Sequence, residues 1–547
     1  MAVREYTVQN STLKEQSYSY TYDGEGRLTG MQAGGQSLAY AYDALGRVTA
    51  ETSSVLTKSY AYRTVNGRTC DLVSTLSYTK ANGTSLLSLS YTYDAAGNIQ
   101  TVSKSGTVYD QYAYDELGQL IREDNKDANK SYTYTYDSRG NILEKKTYAF
   151  TPGTLGTVQS THTYGYATDS WKDRLTSYNG QTITYDSIGN PLTYNNGSAY
   201  TFTWEGRQMQ SASKGNQTYS YTYNSDGLRA SKTVGNTTYH YYWNSGKLIA
   251  MTYDDHYMIF TYTESGTPFS VTCYDAYLDK EYECLYITNL QGDVVGIYDA
   301  AKSSMVISYT YDAWGRLVGK DGTSSDYAQL EMNNPLLYRG YQYDYETGFY
   351  YLQSRYYDPS VGRFLNADDT GFLGISGALL GWNLFAYCES APINKVDIEG
   401  TFGTPIQWAC ATIGGIAGWL FGDFVARSIG LFDGKWYQWQ TYAYWAVRGL
   451  VVVGGAIFGY VAGTVLLKIL TRFVLTNPSI TAKLPKILLW FLGIGGNSGK
   501  IADELFARYA SHIFSQAHIA DGIMKLGTTQ RNIFNKIFWR CETWQNF

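Results

Sequence analysis

Histidine, cysteine and proline are all scarce in this 547-residue chain, at 5, 6 and 9 residues. The cysteines (Cys70, Cys273, Cys284, Cys388, Cys410, Cys541) form no C-x-x-C pair and keep no regular spacing. That argues against a disulfide framework and against a zinc site, and no metal or cofactor is expected. Few prolines beside 55 glycines exclude an extended Pro-rich chain and point to many tight turns. The opening MAVREYTVQNSTLKEQ lacks an apolar core segment, so no secretory signal peptide is expected in it.

Tyrosine is what the chain has in excess, 55 residues against 20 phenylalanines, within an aromatic share of 16%. Tyrosine suits a pleated, half-wet surface better than a dry core, so a folded, mainly β protein is expected. The length suits about two to four domains. Net charge is −5, but residues 401–547 carry 13 Lys and Arg against 6 Asp and Glu, and residues 1–400 carry 30 against 42. An acidic container with an anion-seeking cargo would show this asymmetry, and so would an unrelated pair of domains.

A repeat accounts for the tyrosines. YTYDGEGRL at 20–28, YAYDALGRV at 40–48, YTYDAAGNI at 91–99, YAYDELGQL at 112–120 and YTYDSRGNI at 134–142 are copies of one unit, and YTYDAWGRL at 309–317 is the last. Neighbouring copies lie about 20–22 residues apart, the mark of an array rather than one globular core. Y-x-Y puts both rings on one face of a strand. The Asp holds a turn, and the Gly three residues later accepts positive φ. Each period is thus about one β-hairpin, and hairpins must pair edge to edge to bury a face. One carboxylate per turn is too few for a calcium cage. The tyrosine ladder reads either as packing between sheet layers or as a glycan-stacking face. Residues 251–308 leave the motif but keep strand-like alternation.

The array ends at NPLLYRGYQYDYETGFYYLQSRYYDPSVGRFLNADDTG, followed after a loop by NLFAYCESAPINKVDIEG up to Gly400. This stretch resembles the closing core of the Rhs/YD-repeat family, which is related to toxin-complex cocoon proteins and teneurins. The resemblance implies a spiralling β-hairpin shell over 1–332, closed by a core plug over 333–400, with the chain beyond it enclosed as cargo. The array's opening directly on a repeat suits a C-terminal portion or a shortened relative.

The resemblance also implies an aspartic-protease-like site that cuts the chain just after the core. Carried over by motif, GRFLNAD supplies Arg363 and Asp368, and VDIEG supplies Asp397, with the cut beside Gly400, Thr401 or Phe402. Two close carboxylates cannot both ionise, so one can protonate the leaving nitrogen while the other activates water. The family's proline after each Asp is replaced here by Asp369 and Ile398, which removes a rigid φ near the cut. The plainer reading is that Asp358, Asp368 and Asp397 hold turns.

Beyond Gly400 the texture is apolar and basic. Residues 401–422 and 449–467 are uncharged, with glycines every fourth residue at Gly414, Gly418 and Gly422 and at Gly455, Gly459 and Gly463. Such small-x-x-x-small spacing lets helices pack closely, and 19 residues can span a bilayer. Residues 401–500 therefore read as a helical segment, either membrane-inserting or an enclosed linker. Residues 501–547 hold His512 and His518 in SHIFSQAHIADGIMKLG, which resembles the opening of some polymorphic-toxin nuclease domains. One His could act on a ribose hydroxyl, and the basic tail suits an RNA backbone, but the tail is short for a whole nuclease.

The reading is an Rhs-type carrier of a C-terminal effector for competition between bacteria, secreted or surface-associated. Its expected partners are its own cargo, an immunity protein and, through 449–467, a membrane. The competing readings are a wall-associated adhesion protein that binds glycan or protein, and an inactive truncated cassette.

Overall fold

The computed structural model describes residues 2–9, 12–169, 171–322, 324–369, 380–398, 400, 404 and 405. Among them, thirty strands from Ala2–Gln9 to Leu317–Gly322 follow one another, each antiparallel to its chain neighbour within its sheet. A 16-stranded sheet runs as far as Gln181–Thr182 and a 14-stranded sheet starts at Thr184–Tyr185. The mainly β architecture expected from the repeat is present, and residues 251–308 continue the same meander.

The repeat turn is built by its aspartate. Asp43 Oδ1 accepts the backbone N–H of Leu45 and of Arg47, each at 2.9 Å, while Oδ2 accepts Arg47 Nε at 2.7 Å. Where the motif has Asn in place of Arg, the amide makes the same bond: Asn98 Nδ2 to Asp94 Oδ2 at 2.9 Å, Asn141 Nδ2 to Asp137 Oδ2 at 2.9 Å. The Arg or Asn of the motif therefore closes the turn rather than only starting the next strand. Both carboxylate oxygens are occupied by this loop.

The tyrosines have a more specific role than half-wet surface. In the first sheet, the ladder between strands Leu28–Ala33 and Gln36–Tyr42 ends at the pair Gly30–Ala39. The Leu28 carbonyl beyond it accepts from Tyr42 Oη at 2.6 Å. The same bond recurs from repeat to repeat, at 2.5–2.8 Å, from Tyr62 to Val48, Tyr93 to Val73, Tyr114 to Ile99, Tyr136 to Leu120 and Tyr311 to Val294. At two positions an indole replaces the phenol, and Trp204 Nε1 and Trp243 Nε1 donate to the carbonyls of Pro191 and Arg229. A phenylalanine would leave each carbonyl unpaired, which accounts for the excess of Tyr over Phe. The first tyrosine of the pair is buried at Tyr91, Tyr112, Tyr134, Tyr221 and Tyr309 and partly buried at Tyr20 and Tyr40. The ladder is thus packing between layers.

The two sheets share one apolar cluster, from Tyr18 to Ile393. Polar bonds also join them: Tyr78 Oη donates to the Thr288 carbonyl at 3.1 Å, and Glu123 Oε1 accepts the Ala313 N–H at 2.8 Å. Glu123 is fully buried. Desolvation and the nearby Asp312 charge push its carboxyl well above the usual range, against the pull of Lys145.

The segment after the array docks on the last repeat turn. Its four-stranded sheet comprises Gln342–Asp344, Phe349–Tyr351, Tyr356–Asp358 and Arg363–Phe364. Tyr350 Oη donates to the Gly315 carbonyl at 2.8 Å and Tyr357 Oη to the Trp314 carbonyl at 2.7 Å. A buried ion pair, Arg229 to Asp344 at 2.6 Å, ties the same sheet to an earlier repeat. Asp358 Oδ2 accepts Tyr194 Oη at 2.9 Å and Asn196 Nδ2 at 2.7 Å. Among the described residues no helix is long and apolar enough to cross a membrane. The apolar run 449–467 and the tail with His512 and His518 lie outside them.

Candidate self-cleavage site

A three-residue turn at the end of strand Phe349–Tyr351 organises the site. Ser354 N–H donates to the Leu352 carbonyl at 2.7 Å, and Gln353 between them has φ +61°. The turn delivers Arg355 into the interior, where only 2% of it is exposed. All three of its guanidinium nitrogens are engaged. Nη1 donates to the Leu384 carbonyl at 3.1 Å, Nη2 lies 2.9 Å from Asp397 Oδ2 and 3.1 Å from Asp368 Oδ2, and Nε donates to the Gly400 carbonyl.

The two aspartates expected to act together are therefore brought to one nitrogen. Asp368 follows strand Arg363–Phe364 and is fixed by its N–H to the Leu384 carbonyl, 2.9 Å. Asp397 follows Lys395–Val396, and its N–H donates to Tyr341 Oη at 3.0 Å. Both are buried. Burial pushes the Asp368 carboxyl up to about 6, and the Asp397 charge adds to this, while Arg355, Arg207 and the Asp369 N–H oppose it. Asp368 thus keeps its proton into the range where an ordinary aspartate has lost it.

Gly400 is held by its carbonyl. Besides Arg355, Ser354 Oγ donates to that oxygen at 2.6 Å. The residue has φ +71°, and a Cβ there would stand 2.6 Å from the Leu352 carbonyl oxygen and 2.9 Å from Ser354 Oγ. Only glycine fits both the conformation and the space.

Known proteins resemble part of the chain. The RHS Repeat family model matches residues 22–55 and 114–151. The tRNA nuclease WapA of Bacillus subtilis (strain 168) is 31% identical over 334 residues, covering 60% of this chain and 13% of that protein. The tRNA3(Ser)-specific nuclease WapA of Bacillus spizizenii is 31% identical over 339 residues, with the same coverage. A crystal structure of TcdB2-TccC3-Cdc42 superposes with a TM-score of 0.51 at 17% identity, covering 73% of this chain and 23% of that one. The chain belongs to the Rhs/YD-repeat family. It spans about 13% of the length of these curated relatives.

Within this Rhs/YD-repeat chain, Arg363 is not where the motif placed it. Its Nη1 donates to Asn141 Oδ1 at 3.1 Å and its Nη2 to the Asp173 carbonyl at 2.6 Å, with the guanidinium 5.0 Å from the Tyr166 ring centroid. It pins the core to a repeat turn, and Arg355 stands between the carboxylates instead. Arg355 and Ser354 sit in the stretch SRYYDP of the closing core, but spacing alone gives no sign that they face residues 13 to 46 positions downstream. Thr401, Phe402, His512 and His518 lie outside the described residues.

Proposed function

We propose that the chain is an Rhs-type effector carrier that cuts its own backbone between Gly400 and Thr401. The observation that carries this reading is the convergence of Asp368, Asp397 and the Gly400 carbonyl on Arg355. Asp397 takes a proton from water as its oxygen attacks the Gly400 carbonyl carbon. Negative charge gathers on the carbonyl oxygen, against the guanidinium. Asp368, which keeps its proton below about pH 6, passes that proton to the Thr401 nitrogen as the C–N bond breaks. The products are a Gly400 carboxylate, which stays on Arg355, and a free amine on Thr401.

The repeat sheets and the core segment form the shell and plug in this reading, and residues 401–547 are the cargo. Its excess of basic residues suits a polyanionic target such as RNA, in keeping with relatives named as tRNA nucleases. A cognate immunity protein would protect the producer, with release serving competition between bacteria. A denaturing gel of the purified chain beside Asp368→Asn and Asp397→Asn tests the reading. Two bands in the wild type and one in each variant are expected, and a single full-length band in all three contradicts it.

A further inference from the structure

Self-cleavage requires charge to be stabilised on the Gly400 oxygen, and the guanidinium beside that oxygen is already shared with two carboxylates and the Leu384 carbonyl. A second donor is present. Ser354 Oγ lies 2.6 Å from the Gly400 oxygen, and the backbone that aims it there is strained.

The strain is at Gln353, which has φ +61° within a turn closed by the bond from Ser354 N–H to the Leu352 carbonyl. A hydrogen bond spanning three residues with a positive central φ is a rare, unfavourable turn for a residue with a Cβ. The surroundings hold it in place: Gln353 Nε2 donates to the Gly246 carbonyl at 3.0 Å, anchoring the turn to a repeat hairpin. On the other side, the Leu352 N–H donates to the Arg355 carbonyl at 2.9 Å. The turn sets two consecutive side chains, Ser354 and Arg355, against one carbonyl oxygen.

We infer that Ser354 is a catalytic oxyanion donor of the self-cleavage reaction, its hydroxyl giving a hydrogen bond to the oxygen that becomes negative as water adds to the Gly400 carbonyl. The inference rests on the cleavage reading above. Water supplies the attacking oxygen, Asp397 receives its proton, and the Ser354 proton stays on Oγ throughout. The electron pair of the C=O bond moves onto oxygen and returns as the bond to the Thr401 nitrogen breaks. Ser354 thus forms no covalent bond to the chain.

The test is a time course of cutting during cell-free synthesis of the full chain, in wild type, Ser354→Ala, Ser354→Thr and Asp397→Asn. Ser354 is solvent-exposed, so neither substitution changes a packed interior position, and melting temperatures check that both variants are folded. Removing one enclosed oxyanion donor costs about 10²–10³-fold in rate, and water reaches this one, so Ser354→Ala should slow cutting roughly tenfold to a hundredfold. Ser354→Thr, which keeps the hydroxyl, should restore at least part of the rate, with the pH profile unmoved in both. A wild-type rate in Ser354→Ala while Asp397→Asn stays whole overturns the role of Ser354 and leaves the cleavage reading standing. Complete loss in both serine variants, with melting temperatures unchanged, also overturns it. An uncut wild type removes both.

Discussion

Arg355 Nη2 lies 2.9 Å from Asp397 Oδ2, and both side chains are almost wholly buried. A buried ion pair of this kind is costly to break from one side, because the charge left behind has neither water nor partner. Arg355 also holds Asp368 and the Gly400 carbonyl, so one substitution acts on fold and chemistry together. Arg355→Gln is expected to abolish cutting and to lower stability by about 3–5 kcal/mol, read by gel and by thermal melting. Full cutting in this variant would remove the arginine from the mechanism.

Gly400→Ala should separate position from charge. The added Cβ would meet the Leu352 carbonyl at 2.6 Å with φ held at +71°. The segment must then shift and withdraw its carbonyl from Ser354 and Arg355. Cutting is expected to slow by at least about a hundredfold, the scale of a small misplacement at a reacting centre, while the melt of the repeat sheets is unchanged. Gel and calorimetry check the two halves.

The rate of cutting should follow the proton on Asp368. Its carboxyl is raised to about 6, so the protonated form persists in the folded chain below that value and is lost above it. Well above pH 6 the rate is expected to fall about tenfold per pH unit. A rate that rises from pH 6 to 8 would assign the acid to another group.

The fold was largely legible in the residues because each repeat states its own turn. Y-x-Y-D-x-x-G announces strand, turn and return, and the strand meander follows from repetition. Less legible was why the aromatic is tyrosine, since the phenol bonds a carbonyl about one repeat earlier, as Tyr136 does with Leu120 at 2.5 Å. At the site, Asp368, Asp397 and Gly400 were readable from motif and Arg355 was not. Its partners lie up to 45 residues away, and only the packing of the core brings them together. Arg363 fits the same motif equally well and is used to fasten the core to Asn141.

The tyrosine ladder predicts a graded cost. Tyr136→Phe keeps the ring and leaves the Leu120 carbonyl, buried at the start of its strand, without its partner. A loss of about 1–3 kcal/mol is expected, measured by denaturant unfolding beside a phenylalanine at the outward-facing Tyr277, which should cost nothing measurable. Equal stability of both variants would remove the ladder's role.

Glu123 gives a pH-dependent stability. In the folded chain its proton is held well above the usual glutamate range by burial and by Asp312, whereas the unfolded chain releases it near the ordinary value. Between the two, the folded form binds more protons, so stability falls as pH rises. Glu123→Gln mimics the protonated form and should raise the melting temperature at pH 8 but not at pH 4. An equal effect at both pH values would contradict the burial argument.

Intact mass of the purified wild-type chain, with N-terminal sequencing of any smaller product, tests the central claim most directly. The account predicts one product ending at Gly400 and one beginning at Thr401, both absent in Asp397→Asn. A wild-type chain that keeps its full mass across pH 5 to 8 would contradict self-cleavage and leave the Arg355 cluster as a structural anchor of the core.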